Sequence, residues 1–184
     1  MSNFEEKFGL KKSYAITLLI VLVLNVLWFI SNLAFFSADA ALRICIPFVM
    51  FLVTVFYVLY DYKKPHGNTI RHLLLVYSIY TAAMLILSYT RMSISLMAAN
   101  LVIVITSSYM AGRLNKFNQN IVLSIVILLM NIYICYPFFI EAIENGSLTF
   151  ISFFRYLGPV SNWLAIAGAY IARYQLHKEA GLED

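Results

Sequence analysis

Three histidines, two cysteines and a scatter of serines and asparagines are the side chains here that could do chemistry. Their spacing argues against most of it. His66, His72 and His177 include no pair at the i, i+4 spacing that sets two ligands on one helix face. No metal and no cofactor is therefore expected. Cys45 and Cys135 each sit inside an apolar stretch, far apart in the chain. A bridge needs their Cα atoms within about 7 Å, which sequence cannot arrange. Buried thiols acting as small hydrophobes are the plainer reading. Ser78, Ser107, Ser108 and Ser124 have no histidine deep in the same stretches to activate them, and G-x-S-x-G is missing. No enzyme is expected.

The elements that must carry these residues follow from composition. The chain has 184 residues, 62% apolar and 12% charged, whereas soluble domains run at roughly half and a quarter. So little polar surface cannot cover a globule in water. Six apolar stretches, with no charge near their middles, lie near residues 14–36, 42–60, 70–89, 93–112, 121–140 and 152–172. Each holds about 20 residues, enough to cross about 30 Å of hydrocarbon at 1.5 Å per residue. The expected fold is all-α: a polytopic membrane protein, one integral domain of six transmembrane helices. None of the connections is long enough to form a soluble domain.

Charge sets the orientation. With the N-terminus inside, one side holds Lys7, Lys11, Lys12, Lys63, Lys64, Arg71, Arg113, Lys116, Arg173 and Lys178, and the other Arg43, Arg91 and Arg155. That bias over short loops predicts both termini in the cytoplasm, in a multi-pass protein of the cell inner membrane. The lipid bilayer is its first partner. The net charge of +4 thus belongs to orientation. No basic cluster with interleaved aromatics stands outside the spans, so no direct nucleic-acid contact is expected. Lys11-Lys12, an apolar run and Ala38-Asp39-Ala40 imitate a cleaved signal peptide. The run is longer than the usual 7–15 residues of a cleaved signal, so it is retained as the first span.

No span has Asp, Glu, Lys or Arg near its middle, which argues against a proton pump, an antiporter or an aspartyl intramembrane protease. Arg155 comes closest, in "FISFFRYLGPVSNWLAIAGAYIARY". Counted outward from Ala172 it lies only about 5 Å inside the boundary, where its guanidinium can snorkel to the headgroups. It reads as an interfacial anchor, with Glu141 and Glu144 available across the turn. Pro159 then falls in the first two helical turns, where its missing N–H matters least.

Asn25, Asn100, Asn131 and Asn162 lie within spans. An unpaired amide in hydrocarbon costs several kcal/mol, so each must face protein or water. Interhelical hydrogen bonding is one reading, a polar pocket the other. Ser161, Ala165, Ala169 and Ala172, with Gly168 alongside, form a small-residue face on the sixth span. Such a face lets helix backbones approach closely, either inside the bundle or in a homo-oligomer. A weak threefold repeat of hairpins is suggested by "YVLYDYKK", "YMAGRLNK" and "YIARYQLHK" at the even helix ends, although topology alone forces much of that pattern.

In chain size and span number alone, the sequence resembles the substrate-binding subunits of energy-coupling-factor transporters. That resemblance implies a small-solute transporter or channel component. The favoured expectation is a non-enzymatic membrane subunit acting through a cytosolic protein partner, docked on "DYKKPHGNTIRH", "GRLNKFNQN" and the tail "RYQLHKEAGLED". Abundant Phe, Tyr, Ile and Asn beside few Gly and Ala suggest an AT-rich gene. An anti-phage defence or bacteriocin-immunity locus fits that composition.

Overall fold

An apolar stretch without water can satisfy its N–H and C=O groups internally only as a helix or a closed barrel. The computed structural model takes the helix. It describes the backbone of residues 38–63, 67–146 and 150–179, and side chains over 45–57, 70–146, 160–172 and 174–175. Ile20, Val23, Val26, Leu27, Phe29 and Ile30 are also described, and are helical. In order come α1 (Ala38–Lys63), α2 (Gly67–Ser88), a 3-10 turn (Tyr89–Arg91), α3 (Ile94–Gly112), α4 (Phe117–Glu144) and α5 (Phe150–Glu179). No strand occurs among the described residues.

Among the described residues, three stretches are long and apolar enough to cross a membrane: Ile70–Arg91, Ile94–Gly112 and Phe117–Glu144. They coincide with the third, fourth and fifth expected spans. In the second and sixth, α1 and α5 run 26 and 30 residues, and their described side chains over Cys45–Tyr57 and Val160–Ala172 form apolar stretches. Most of the first expected span lies outside the described residues. The chain is therefore an all-helical, membrane-embedded protein.

Local chemistry explains the turns. After the 3-10 turn, Met92 is extended and Ser93 caps α3, its Oγ accepting the Leu96 N–H at 3.3 Å. At the far end of α4, the Gly146 N–H donates to Ile143 O at 3.0 Å, and Gly146 takes φ +60°. That left-handed conformation suits a residue without Cβ just past a helix end. α4 runs 28 residues, about 42 Å at 1.5 Å each, and so outreaches the span expected for it. α5 begins at Phe150, which puts Pro159 nine residues further on, in the third turn and not the first two. The reason is that the helix starts before the apolar boundary from which the turns were counted.

The helices close a ring. α1 packs on α2, α2 on α3, α3 on α4, α4 on α5 and α5 back on α1, with α2 and α5 also touching across the middle. Antiparallel neighbours joined by short loops favour that order. The core gathers Met50 of α1, Leu74 and Tyr77 of α2, Ile103 of α3, Ile127 of α4 and Trp163 of α5. α4 buries least of the three membrane-length stretches. Its Val122, Ile125, Leu129, Ile132 and Tyr136 are exposed at helical spacing, as a lipid-facing stripe should be.

Candidate functional site

Polar side chains within the bundle gather in two places. The first lies where α2, α4 and α5 meet. Tyr77 Oη stands 3.2 Å from Asn131 Oδ1 and 3.1 Å from its Nδ2, so the hydroxyl donates to one and accepts from the other. Nδ2 also donates to Ile127 O, one turn back, at 2.8 Å. Trp163 packs on the Tyr77 ring with centroids 5.2 Å apart, and its Nε1 donates to Ser124 O at 3.0 Å. Tyr77 and Trp163 are each 1% exposed. Three helices are thus pinned around one aromatic pair.

The second place is the turn from α3 to α4. Past the end of α3 the last carbonyls have no intrahelical N–H. Asn120 is 0% exposed, and its Nδ2 reaches Arg113 O at 2.8 Å and Leu114 O at 3.5 Å. It also donates to Tyr170 Oη at 2.9 Å, and Tyr170 in turn donates to Leu114 O at 2.9 Å. Arg71 of α2 contributes Nε to Ala111 O at 3.1 Å, placing a cation at the negative end of the α3 dipole. Phe117 fills the space beneath, 5.7 Å from the Tyr170 ring and 4.8 Å from that of Tyr174. Asn120 Oδ1 itself has no partner.

Neither assembly is the set of four asparagines singled out from sequence. Asn25 lies outside the described residues. Asn100 donates back to Leu96 O at 2.9 Å and toward Met92 Sδ at 3.9 Å, both on or beside its own helix. Asn162 is 1% exposed and donates to Pro47 O of α1 at 3.4 Å, leaving its Oδ1 without a partner. The three described amides share no hydrogen-bond partner. α2 and α3 are joined separately by Ser78 Oγ, 2.8 Å from Ser108 Oγ and 3.1 Å from Val104 O.

The small-residue face turns inward. Ser161 and Ala165 are each 2% exposed, and Ala165 clusters with Phe51 of α1. Ala169 and Ala172 are half-buried against the main core. Arg155 is within α5, one turn and a half from its start, but its side chain lies outside the described set, as do those of His66 and His177. His72 is exposed in α2. Cys45 and Cys135 are free and half-buried. Among the described residues no group of three His, Cys, Asp or Glu could hold a metal.

Sequence reasoning missed Asn120, Tyr170 and Tyr77. Asn120 falls in "GRLNKFNQN", a polar stretch that reads as solvated, and only the approach of α5 buries it. What these residues can do is architectural: they satisfy backbone groups and fix helices against one another.

No family model, curated protein or solved structure matches the chain.

Proposed function

We propose that this chain is a six-span, inner-membrane subunit with both termini in the cytoplasm, and that it works by association and not by catalysis. One observation supports the reading above the rest. The described polar side chains at span depth turn to neighbouring helices and to their own backbones: Tyr77 to Asn131, Ser78 to Ser108, Trp163 to Ser124. Such contacts build a scaffold. The cytosolic partner would dock on the basic connections, and a defence or immunity locus is the proposed setting. A homo-oligomer would use a face other than Ser161 and Ala165, which pack inside the bundle.

A small-solute carrier is the second reading, favoured by Asn162, whose buried Oδ1 offers an unused acceptor. With Asn25, Asn100 and Asn131 it would line the polar pocket.

Two experiments decide. Reporter fusions at Lys64, Lys116 and the C-terminus should read cytoplasmic, and those at Asp39, Arg91 and Asn145 external; an external C-terminus sinks the six-span topology. A pull-down in mild detergent should recover a stoichiometric cytosolic protein. Solute-dependent thermal stabilisation without such a partner would favour the carrier.

A further inference from the structure

The turn between α3 and α4 holds two cations that make no ion pair among the described residues. Arg113 closes α3, its N–H donating to Met110 O at 3.1 Å, and its guanidinium lies over the Tyr109 ring, 5.0 Å from the centroid. From the first turn of α4, Gln119 donates Nε2 to Tyr109 Oη at 3.3 Å. Lys116 stands between them, its backbone N–H on Arg113 O at 3.1 Å. All four side chains are exposed. The backbone beneath them is held rigidly, because buried Asn120 grips the carbonyls of Arg113 and Leu114.

What flanks this group points to its occupant. One turn along α3 from Tyr109 is Ile105, and one turn along α4 from Gln119 is Val122, at 67% and 61% exposure. A hydrogen-bonding and cationic tip therefore sits at the end of an apolar, lipid-facing hairpin. Arginine stacked on an aromatic ring keeps its N–H fork free for a phosphate oxygen pair. Tyrosine is at home at headgroup depth. Basic side chains at that level attract anionic lipids. Arg71 differs, since its Nε is engaged by Ala111 O.

We propose that the α3–α4 turn seats the headgroup phosphate of an anionic phospholipid, held by Arg113 and Lys116 with Gln119 beside it, the acyl chains lying along Ile105 and Val122. The proposal rests on the membrane-embedded reading alone; of the basic connections named above, it assigns this one to lipid and not to the protein partner. The test uses the full chain, purified and stripped of lipid, titrated with phosphatidylglycerol or phosphatidylcholine and followed by native mass spectrometry. Wild type should retain phosphatidylglycerol preferentially. Arg113→Gln with Lys116→Gln should weaken that retention roughly ten- to twenty-five-fold, about a factor of five per basic side chain at most. Arg91→Gln, the loss of one charge just before the opposite end of α3, should leave it unchanged, whereas Arg113→Gln alone should weaken it severalfold. Tyr109→Leu, which spares both charges, should weaken it severalfold and serves if the double variant fails to fold. Equal retention of the two lipids overturns the proposal. So does an unaffected double or Tyr109 variant, or an equal loss in Arg91→Gln. Displacement by millimolar inorganic phosphate would identify a free-anion site and overturn it too.

Discussion

Inside the bundle Tyr77 and Asn131 pair side chain to side chain, whereas at the end of α3 Asn120 and Tyr170 address main-chain carbonyls. Both groups remove polar atoms from hydrocarbon, yet the consequences of losing them differ. A side-chain pair can be replaced on both sides by apolar groups, leaving nothing unsatisfied. The carbonyls of Arg113 and Leu114 belong to the backbone and cannot be substituted away. The inner site should therefore owe most of its stability to packing, and the turn most of its stability to hydrogen bonds.

The largest expected effect breaks the inner site. Trp163→Ala removes a buried ring from the centre of three helices and should cost about 3–5 kcal/mol in reversible unfolding from bicelles. A cost below about 1 kcal/mol, the scale of an ordinary surface substitution, would show that the ring is not the core's anchor.

Next comes the turn. Asn120→Ala leaves Arg113 O with the Lys116 N–H alone and Leu114 O with Tyr170 alone, so neither carbonyl is stranded and a loss of about 2 kcal/mol is expected, that of a pair of side-chain hydrogen bonds. Tyr170→Phe should cost less. If the two variants are equal, Asn120 is not the principal cap.

Ala165→Leu carries the comparison to the seam between α1 and α5. Overfilling the contact with Phe51 should destabilise the fold by about 1–3 kcal/mol, since both changes in volume and position act inside the bundle. A folded variant with unchanged stability but a smaller oligomer would instead place that face between copies of the chain.

The smallest effect is the polar pair itself. A double-mutant cycle on Tyr77→Phe and Asn131→Leu should return a coupling near 0.6 kcal/mol and no more than about 1.7, the range for hydrogen bonds between membrane helices. A larger coupling would make the two regions alike and remove the distinction drawn between them.

Helix as the only element among the described residues, and their three long apolar stretches, were legible in sequence because hydrocarbon leaves the backbone so few options. The expected spans 70–89 and 93–112 end within two residues of the helical stretches Ile70–Arg91 and Ile94–Gly112. Helix ends beyond the apolar boundary were not legible. α4 continues to Glu144 and α5 to Glu179, since helical hydrogen bonding persists into polar residues where hydropathy has already fallen. The cap on Gly146 follows from the one residue that tolerates its φ.

The site was a different matter. Asparagine at span depth told that amides had to find partners, but not which ones. Asn131 found Tyr77, 54 positions away, while Asn100 turned back to its own helix. Periodicity placed Ser161, Ala165, Ala169 and Ala172 on one helix face without saying what that face would meet; Ala165 meets Phe51 of α1, and Ala169 and Ala172 meet the main core. Asn120 was concealed by its polar neighbours until α5 closed over it. Sequence by itself determined the medium and the element, because transfer from water depends on local composition. Tertiary structure alone decided which polar atom meets which, because a partner across the bundle is set by packing and carries no local signature.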